Sequence, residues 1–394
     1  MDSKAKYVSK KFFVIASLVI IIIVALYLRL LFVYKVVQPP LSGDAKNYDI
    51  MVKQFLTKGF LGYMSNTPNA YITPGYPLFL ALIYKIFGFS NGSPLQAVRI
   101  IQSIFSVLTV LFIYLIGREI KNNKVGLIAA FFSAIYPTFV WASTLILTET
   151  VYTFTFMVYL YLQIIAYKKP GIFINVMTGV FFGLSILIRP AAAPIIVIPY
   201  ILMYFKFKDI RYTLKNFLYV LLGFTAIMMP WWIRNIVTLH KLILLASQTW
   251  NPMLGGAFPY FNGIDHVPQN IRSTMDVIKF IIKGFEKSPI YYFKWYTIGK
   301  FNIIFGSMWY DLDLKYQYLR NLYLLHSFLM AIGWLGAFYS LRKDEIRFIG
   351  IYAIILTLIQ LMFIPTNRYA FTIMPLLILL SSYVIDNLLF DKNL

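Results

Sequence analysis

The chain has 394 residues, of which 60% are hydrophobic and only 13% are charged, and its mean hydropathy is +0.71. Soluble globular domains carry about 25% charged residues, so this composition excludes a water-soluble enzyme and indicates a polytopic membrane protein. The net charge of +21 does not indicate nucleic-acid binding, because the basic residues lie mostly in short loops between apolar runs. Cysteine is absent, which excludes disulfides and a thiol nucleophile.

Ten segments are apolar enough to be predicted as membrane-spanning helices, since one span needs about 20 mainly apolar residues. In chain order they are 12–36, 98–117, 125–141, 150–167, 172–188, 192–207, 216–233, 321–341, 346–364 and 370–389. The first resembles a signal peptide at its start, but its apolar run is too long, so we interpret it as a retained helix. The predicted fold class is therefore an all-α polytopic membrane protein.

The connections between these spans predict how the chain is oriented. Four short connections are basic, and the positive-inside rule places them and both termini in the cytoplasm. Two long segments, 38–97 and 238–320, then lie outside, and long loops of this kind usually carry function. We expect three modules: 1–237 with seven spans and the first outer loop, 238–320 with interfacial helices, and 321–394 with three spans.

The acids on the outer side are the candidate catalytic groups: Asp44, Asp49, Glu149, Asp265, Asp276, Glu286, Asp311 and Asp313. Asp44 follows a turn at Gly43, and it either N-caps a helix over 45–58 or acts as a general base. That segment alone favours neither role. Glu149 begins a span, where the helix dipole favours an acid, but a charge at the edge of an apolar bundle is costly unless it is paired or used.

Basic residues at the outer ends of the spans form a second set of candidates. Three arginines lie there: Arg189, Arg234 and Arg368. Considered singly, each is best interpreted as extending its side chain to the lipid head groups. Three together can hold an anionic group, because guanidinium pairs with phosphate in bidentate fashion. In residues 271–304 the lysines 279, 283 and 287 recur every four positions, which predicts an amphipathic helix at the membrane interface.

Other kinds of site are not indicated. The three histidines, His240, His266 and His326, have no metal-ligand spacing, so a zinc site is not expected. The chain contains no phosphate-cradling glycine-rich loop and no dinucleotide fingerprint. A substrate delivered by the bilayer therefore fits better than a soluble nucleotide.

Several short motifs occur in an order that carries a family resemblance. They are Gly43-Asp44 with Tyr48, YITPGYPLFL at 71–80, LIGR at 115–118, Tyr136-Pro137, Thr148-Glu149, IRP at 188–190, PWWIRN at 230–235 and Arg368-Tyr369. With these motifs the chain resembles the GT-C superfamily of polytopic glycosyltransferases, in the branch of the protein O-mannosyltransferases and lipid A aminoarabinose transferases. The resemblance covers most of 10–390, and no motif matches within 238–320.

The resemblance implies roles for individual residues. Asp44 matches the catalytic base, and Glu149 matches an acid that positions the acceptor or helps hold a divalent metal, Mg²⁺ or Mn²⁺. The aminoarabinose branch has a phosphate-binding lysine at the start of the proline turn, where this chain has none. We therefore expect Arg189, Arg234 and Arg368 to bind the donor phosphate. Further substrate contacts are expected from residues of the first outer loop: Tyr48, Asp49, Tyr71 and Tyr76.

The resemblance also implies the reaction. It is the inverting transfer of a hexosyl or pentosyl group from a polyprenyl-phosphate sugar to a hydroxyl of a glycan, lipid or protein acceptor. The reaction would take place on the extracytoplasmic face, with the plasma membrane as the expected location. One alternative is a transporter or flippase of lipids or sugar-lipids, which would need polar groups at mid-bilayer or helix breaks repeated in both halves. A non-catalytic member of the same fold is the other.

Overall fold

The computed structural model describes residues 2–390, except 37, 39, 249, 267–270 and 311–319. In this part of the chain the regular structure is helical throughout, with no strand. Two of the predicted outer acids, Asp311 and Asp313, lie outside the described residues.

Seventeen α-helices are found in the described part of the chain. Their bounds are Asp2–Lys35 (α1), Gly43–Lys58 (α2), Gly75–Phe87 (α3), Leu95–Ile120 (α4), Asn123–Ile135 (α5), Pro137–Ala142 (α6), Thr148–Lys168 (α7), Ile172–Ile188 (α8), Ile198–Phe207 (α9), Ile210–Leu239 (α10), Trp250–Gly255 (α11), Thr274–Lys287 (α12), Pro289–Lys294 (α13), Lys300–Phe305 (α14), Arg320–Ser340 (α15), Arg347–Leu361 (α16) and Met374–Phe390 (α17). The predicted all-α fold class is confirmed.

Each of the ten predicted spans corresponds to an apolar helical stretch. Six are long and apolar enough to cross a membrane: Lys11–Lys35, Leu95–Ile120, Thr148–Lys168, Pro190–Phe207, Ile210–Leu239 and Leu322–Ser340. The other four are the shorter helices α5, α8, α16 and α17. A helix rises 1.5 Å per residue, so the 17 residues of α8 extend about 25 Å, less than a hydrocarbon core of about 30 Å.

Two of the shorter helices, α8 and α17, are flanked by 3₁₀ segments in which the α-helical geometry is interrupted. The 3₁₀ segment Pro190–Val197 follows α8, and the 3₁₀ segment Asn367–Thr372 precedes α17. Proline causes the first break, since its ring and missing N–H do not fit a helix interior. Two of the predicted phosphate-binding arginines, Arg189 and Arg368, lie at these breaks.

The predicted span 125–141 is divided in two. Tyr136 precedes Pro137, which disfavours helical backbone, and Tyr136 adopts an extended ψ of 116° between α5 and α6. The buried Arg29 of α1 donates hydrogen bonds to the backbone carbonyls of Ser133 and Ala134 at the open end of α5. An arginine therefore satisfies carbonyls that the interrupted helix leaves without a partner.

The bundle is built around α4, α5, α7 and α17. On this core, α1 packs against α4 and α5, α8 packs between α7 and α10, and α15 and α16 pack on α17. The first turns of α2 and α7, the end of α8 and Asn367–Thr372 meet at one end of the bundle. We call this the site end.

The contact between α8 and α10 depends on glycine. A Cβ at Gly179 would overlap the backbone oxygen of Val220, and a Cβ at Gly223 would overlap that of Val176. Small residues let helix backbones approach closely in membranes. The two glycines therefore set the spacing of this helix pair.

Replacing Gly179 by alanine is expected to destabilise the bundle by about 1–3 kcal/mol, because the helices must separate to admit the added methyl group. Thermal unfolding in detergent measures the effect. Gly171→Ala is the matched control, since a Cβ there meets only the Ile174 side chain, at 3.8 Å. Equal midpoints for the two variants would contradict the close approach.

Candidate active site

Four charged side chains meet at the site end of the bundle, each delivered by a different element. Asp44 lies in the first turn of α2, and Glu149 lies in the first turn of α7. Arg189 directly follows α8, and Arg368 lies in the 3₁₀ segment before α17. Residues separated by up to 324 positions thus form one cluster, in which two acids face two arginines.

Arg368 connects the two acids. Its Nη1 donates to Oδ2 of Asp44 at 2.8 Å, while its Nε and Nη2 donate to the two carboxylate oxygens of Glu149. Arg189 approaches from the other side and donates from Nη1 to Glu149 and, at 3.1 Å, to Oγ1 of Thr148. The bidentate pairing fixes the orientation of the Arg368 guanidinium relative to both carboxylates.

The two acids differ in their access to solvent. The Glu149 side chain is 1% exposed, whereas that of Asp44 is 44% exposed. Burial acts to lower the pKa of Arg368, but the carboxylates of Glu149 and Asp44 outweigh it and raise this pKa above its usual value. Arg368 therefore stays charged, and a bound molecule can reach Asp44 but not Glu149.

The carboxylate of Asp44 points into the cluster rather than capping its own helix. The helix begins at Gly43, two residues earlier than predicted, and the preceding Ser42 is its N-cap. Gly43 has a φ of +52°, a conformation that glycine adopts at little cost. Asp44 Oδ1 accepts a hydrogen bond from the Tyr63 hydroxyl at 2.8 Å, so the capping alternative does not hold.

Tyr63 contacts Asp44 although no sequence signal pointed to it. Burial and the neighbouring Asp44 carboxylate raise the pKa of the Tyr63 phenol, so this hydroxyl remains a donor at neutral pH. Tyr63 lies in the irregular segment after α2, where side-chain periodicity predicts no contacts. Its ring packs between those of Tyr48 and Tyr71, with centroid distances of 5.6 and 5.4 Å.

The tyrosines expected to contact substrate mostly lie in the protein interior. Tyr48 is buried, and Tyr76 is fully buried with its hydroxyl donating to Gln102 Oε1 at 2.8 Å. Both tyrosines pack in the interior in this structure, and their contact with substrate stays a prediction. Tyr71 is half-buried, at the edge of the same aromatic group.

Asp49 is also placed away from the cluster. It accepts hydrogen bonds from the hydroxyls of Tyr84 and Ser93 and forms an ion pair with Lys53 at 2.9 Å. Five residues after Asp44, it lies on a different side of α2. Asp49 therefore joins α2 to α3 and to the segment just before α4, and its contact with substrate stays a prediction.

Arg234 does not join the other two arginines in the described contacts. Its guanidinium donates to the backbone carbonyls of Leu61 and Asn69, at 3.0 and 2.9 Å. The Asn69 side chain in turn hydrogen-bonds the backbone of Tyr63. Arg234 thus holds the segment that carries Tyr63, and its binding of a donor phosphate stays a prediction.

A cavity of about 220 Å³ opens beside the cluster, and Asp44, Arg99 and Arg368 line it together with residues 144–147. Arg99 donates from Nε to the carbonyl of Thr144 at 3.1 Å. Among the described residues it has no carboxylate partner, unlike Arg189 and Arg368. Arg99 was not among the candidates, because its position within a predicted span hid its exposure to this cavity.

The cluster does not fit a divalent metal. Both oxygens of Glu149 accept hydrogen bonds from guanidinium groups, and those of Asp44 are engaged by Tyr63 and Arg368. No group of three or more potential metal-ligating side chains occurs in the part of the chain that is described. Guanidinium groups thus occupy the carboxylate oxygens that one of the two alternatives for Glu149 assigned to Mg²⁺ or Mn²⁺.

One family model and several solved structures are similar to this chain. The family described as dolichyl-phosphate-mannose-protein mannosyltransferase matches residues 66–233, less than half of the chain. A comparison with curated proteins found no match.

The similar structures share the fold over nearly the whole chain. The oligosaccharyltransferase AglB from Archaeoglobus fulgidus, in complex with an inhibitory peptide and a dolichol-phosphate, has a TM-score of 0.56 at 17% identity. The match covers 98% of this chain and 53% of AglB. An Archaeoglobus fulgidus oligosaccharyltransferase in complex with Zn and sulfate has a TM-score of 0.56 at 18% identity, and the match covers 95% of this chain and 49% of that enzyme. ArnT from Cupriavidus metallidurans, bound to undecaprenyl phosphate, has a TM-score of 0.53 at 12% identity, and the match covers 96% of this chain and 60% of ArnT.

The fold is therefore that of the polytopic GT-C transferases, and the predicted resemblance is confirmed. The chain is an integral, multi-pass membrane protein. The chain spans about half the length of the archaeal oligosaccharyltransferases, so their activities do not transfer to it directly.

Proposed function

We propose that this protein is a glycosyltransferase that moves a sugar from a polyprenyl-phosphate donor to an acceptor hydroxyl, with inversion at the anomeric carbon. One observation carries the proposal: the exposed carboxylate of Asp44 shares a cavity with the guanidinium groups of Arg99 and Arg368. A base and anion-binding groups in one cavity are what this transfer needs. The complexes of AglB with dolichol-phosphate and of ArnT with undecaprenyl phosphate support this class of donor.

In the proposed reaction Asp44 takes the proton of the acceptor hydroxyl while its oxygen attacks the anomeric carbon. The bond between this carbon and the phosphate oxygen breaks on the opposite side of the ring, which inverts the configuration. The leaving group is polyprenyl phosphate, and guanidinium donors already in place stabilise its charge. Tyr63 and Arg368 keep Asp44 oriented through this step.

Arg99 is proposed as the main contact of the donor phosphate. Arg189 is paired with Glu149, and Arg234 is engaged with backbone carbonyls. Arg368 lines the cavity and can contribute a hydrogen bond, but its charge is shared with the carboxylates of Glu149 and Asp44. Arg99 lines the cavity with no carboxylate partner in the described part of the chain. A phosphodiester would therefore gain an unneutralised guanidinium there.

Replacing Arg99 by methionine is expected to weaken binding of polyprenyl phosphate about tenfold to 100-fold. A hydrogen bond to a charged group contributes about 1.5–3 kcal/mol, and 1.4 kcal/mol corresponds to a factor of ten. Titration of the detergent-solubilised protein with the lipid measures the dissociation constant. Lys46→Met is the control, since Lys46 is exposed on α2 outside the cavity lining. Equal affinities for both variants would remove Arg99 from the phosphate site.

The basic connections between spans support an orientation with cytoplasmic termini and the site end outside, in the plasma membrane. A hydroxyl on a glycan, lipid or protein is the proposed acceptor, and a hexose or pentose is the proposed sugar. The donor would enter sideways from the bilayer.

The proposal is tested by incubating the solubilised protein with a panel of polyprenyl-phosphate sugars and following the labelled sugar. Release of polyprenyl phosphate that depends on Asp44, by transfer or by slow hydrolysis, is the expected result, and it identifies the sugar. Failure to consume any donor, with acceptors of all three classes present, would overturn the proposal. Movement of intact donor across a bilayer would instead support a flippase, and binding without turnover would support a non-catalytic protein.

A further inference from the structure

The helical hairpin formed by α12 and α13 exposes apolar side chains next to lysines. Five apolar residues are exposed on it: Met275, Ile278, Ile282, Ile290 and Phe293. Their exposed fractions range from 36% at Ile278 to 71% at Ile290. Four exposed lysines lie on the same two helices: Lys279, Lys283, Lys287 and Lys294. We call these nine residues the basic-apolar face.

The exposed apolar residues are additional to those that α12 needs for packing. On its other side Val277 is fully buried, and Phe280 and Ile281 pack with it against Met253 and Phe258. The lysine spacing predicted an amphipathic helix, and the structure exposes Ile278 and Ile282 together with these lysines. Apolar side chains exposed on a second face of a helix mark an interaction surface.

The position of the hairpin points to the bilayer as its partner. From α13 the helical path continues through the π-helical turn Trp295–Gly299 into α14. There Phe301 and Phe305 pack on Trp334, each with a ring-centroid distance of 5.5 Å. Trp334 lies within the candidate membrane span Leu322–Ser340, so this path leads from the hairpin into the membrane part of the bundle.

The charge of the face points to the kind of lipid. In the described part of the chain no carboxylate forms an ion pair with Lys279, Lys283, Lys287 or Lys294. Asp276 hydrogen-bonds the Ser273 hydroxyl at the start of α12 and interacts electrostatically with Lys279, and Glu286 is exposed on the same helix. The four lysines outnumber these two carboxylates, so the hairpin keeps a net positive charge. Lysines interleaved with apolar side chains are typical of surfaces that bind anionic head groups.

We infer that the basic-apolar face docks on the head-group layer of an anionic bilayer. Its apolar side chains then lie at the acyl boundary and its lysines contact lipid phosphates. This inference does not depend on the proposed reaction. Docking would hold the segment that ends in α14 against the bundle, independently of what the site at Asp44 does.

The absence of cysteine from the chain allows a direct test with one introduced label. The full chain carrying Ile282→Cys is labelled with an environment-sensitive fluorophore and placed in nanodiscs of phosphatidylcholine, with or without phosphatidylglycerol. Quenching by acrylamide, a neutral aqueous reagent, reports exposure. We expect quenching at least threefold weaker in discs with phosphatidylglycerol than in discs without it. A label at Asp265→Cys, an exposed position outside the face, should be quenched equally in both.

A second variant separates the contribution of the lysines to lipid binding from that of the apolar residues. Adding Lys279→Gln, Lys283→Gln and Lys287→Gln to the labelled chain is expected to abolish the difference between the two lipids. The inference is overturned if the Ile282→Cys label is equally accessible in both discs, or if the triple substitution leaves the lipid effect unchanged. Protection that appears in detergent and rises with protein concentration would overturn it in favour of a second copy of the chain.

Discussion

Replacing Asp44 by asparagine is expected to reduce sugar transfer by a factor of about 10² to 10⁴, the usual contribution of a general base. Asparagine has nearly the same shape and can still accept the Tyr63 hydroxyl hydrogen bond, but it cannot take the acceptor proton. Initial rates with labelled donor measure the loss. Because the side chain is 44% exposed, the substitution should change the thermal midpoint little.

Two controls make this result specific to the base. Asp265→Asn removes an exposed acid outside the site and should retain full activity. Donor affinity of Asp44→Asn should stay within a few-fold of the parent, since Arg99 remains. Turnover near that of the parent would exclude Asp44 as the base.

Replacing Glu149 by glutamine is expected to lower the free energy of unfolding by about 3–5 kcal/mol, the usual cost of removing one partner of a buried ion pair. The substitution leaves the guanidinium groups of Arg189 and Arg368 without their carboxylate in a site where Glu149 is 1% exposed. Transfer should fall as well, because Arg368 then loses the contact that holds it against Asp44. Thermal unfolding and initial rates, measured on one preparation, report the two effects.

The matched control is Glu286→Gln, since Glu286 is exposed on α12 and has no described ion pair. The double variant Glu149→Gln/Arg189→Gln should recover part of the stability, because it removes a buried charge together with its partner. A Glu149→Gln protein as stable as the parent would contradict the buried-charge account. Full activity at lowered stability would limit Glu149 to a structural role.

Much of the fold could be predicted because it depends on local composition. Ten apolar segments each correspond to a helical stretch, since an apolar run in a membrane must satisfy its own backbone hydrogen bonds. The break at Tyr136-Pro137 was not predicted as an end of the span, although the residue before a proline disfavours helix. Hydropathy averages over such a break because both sides of it are apolar.

The candidate site could be predicted only in part. Asp44 and Glu149 were named from their positions after and before a span, and the structure brings both onto Arg368. Arg234 was expected on the donor phosphate, yet it holds backbone carbonyls near Tyr63. Which acceptor an arginine finds depends on which segments pack beside it, and spacing along the chain does not contain that information.

The sequence by itself determined the membrane character, the helical segments and their order, because these follow from apolar run length and from loop charge. Only the tertiary structure decided which charges pair and which stay free. Arg368 reaches Glu149 across 219 positions and Asp44 across 324, while Arg99 keeps no acid partner in the described part of the chain. In an apolar bundle buried charges must find a partner, and helix packing alone sets which partner is in reach.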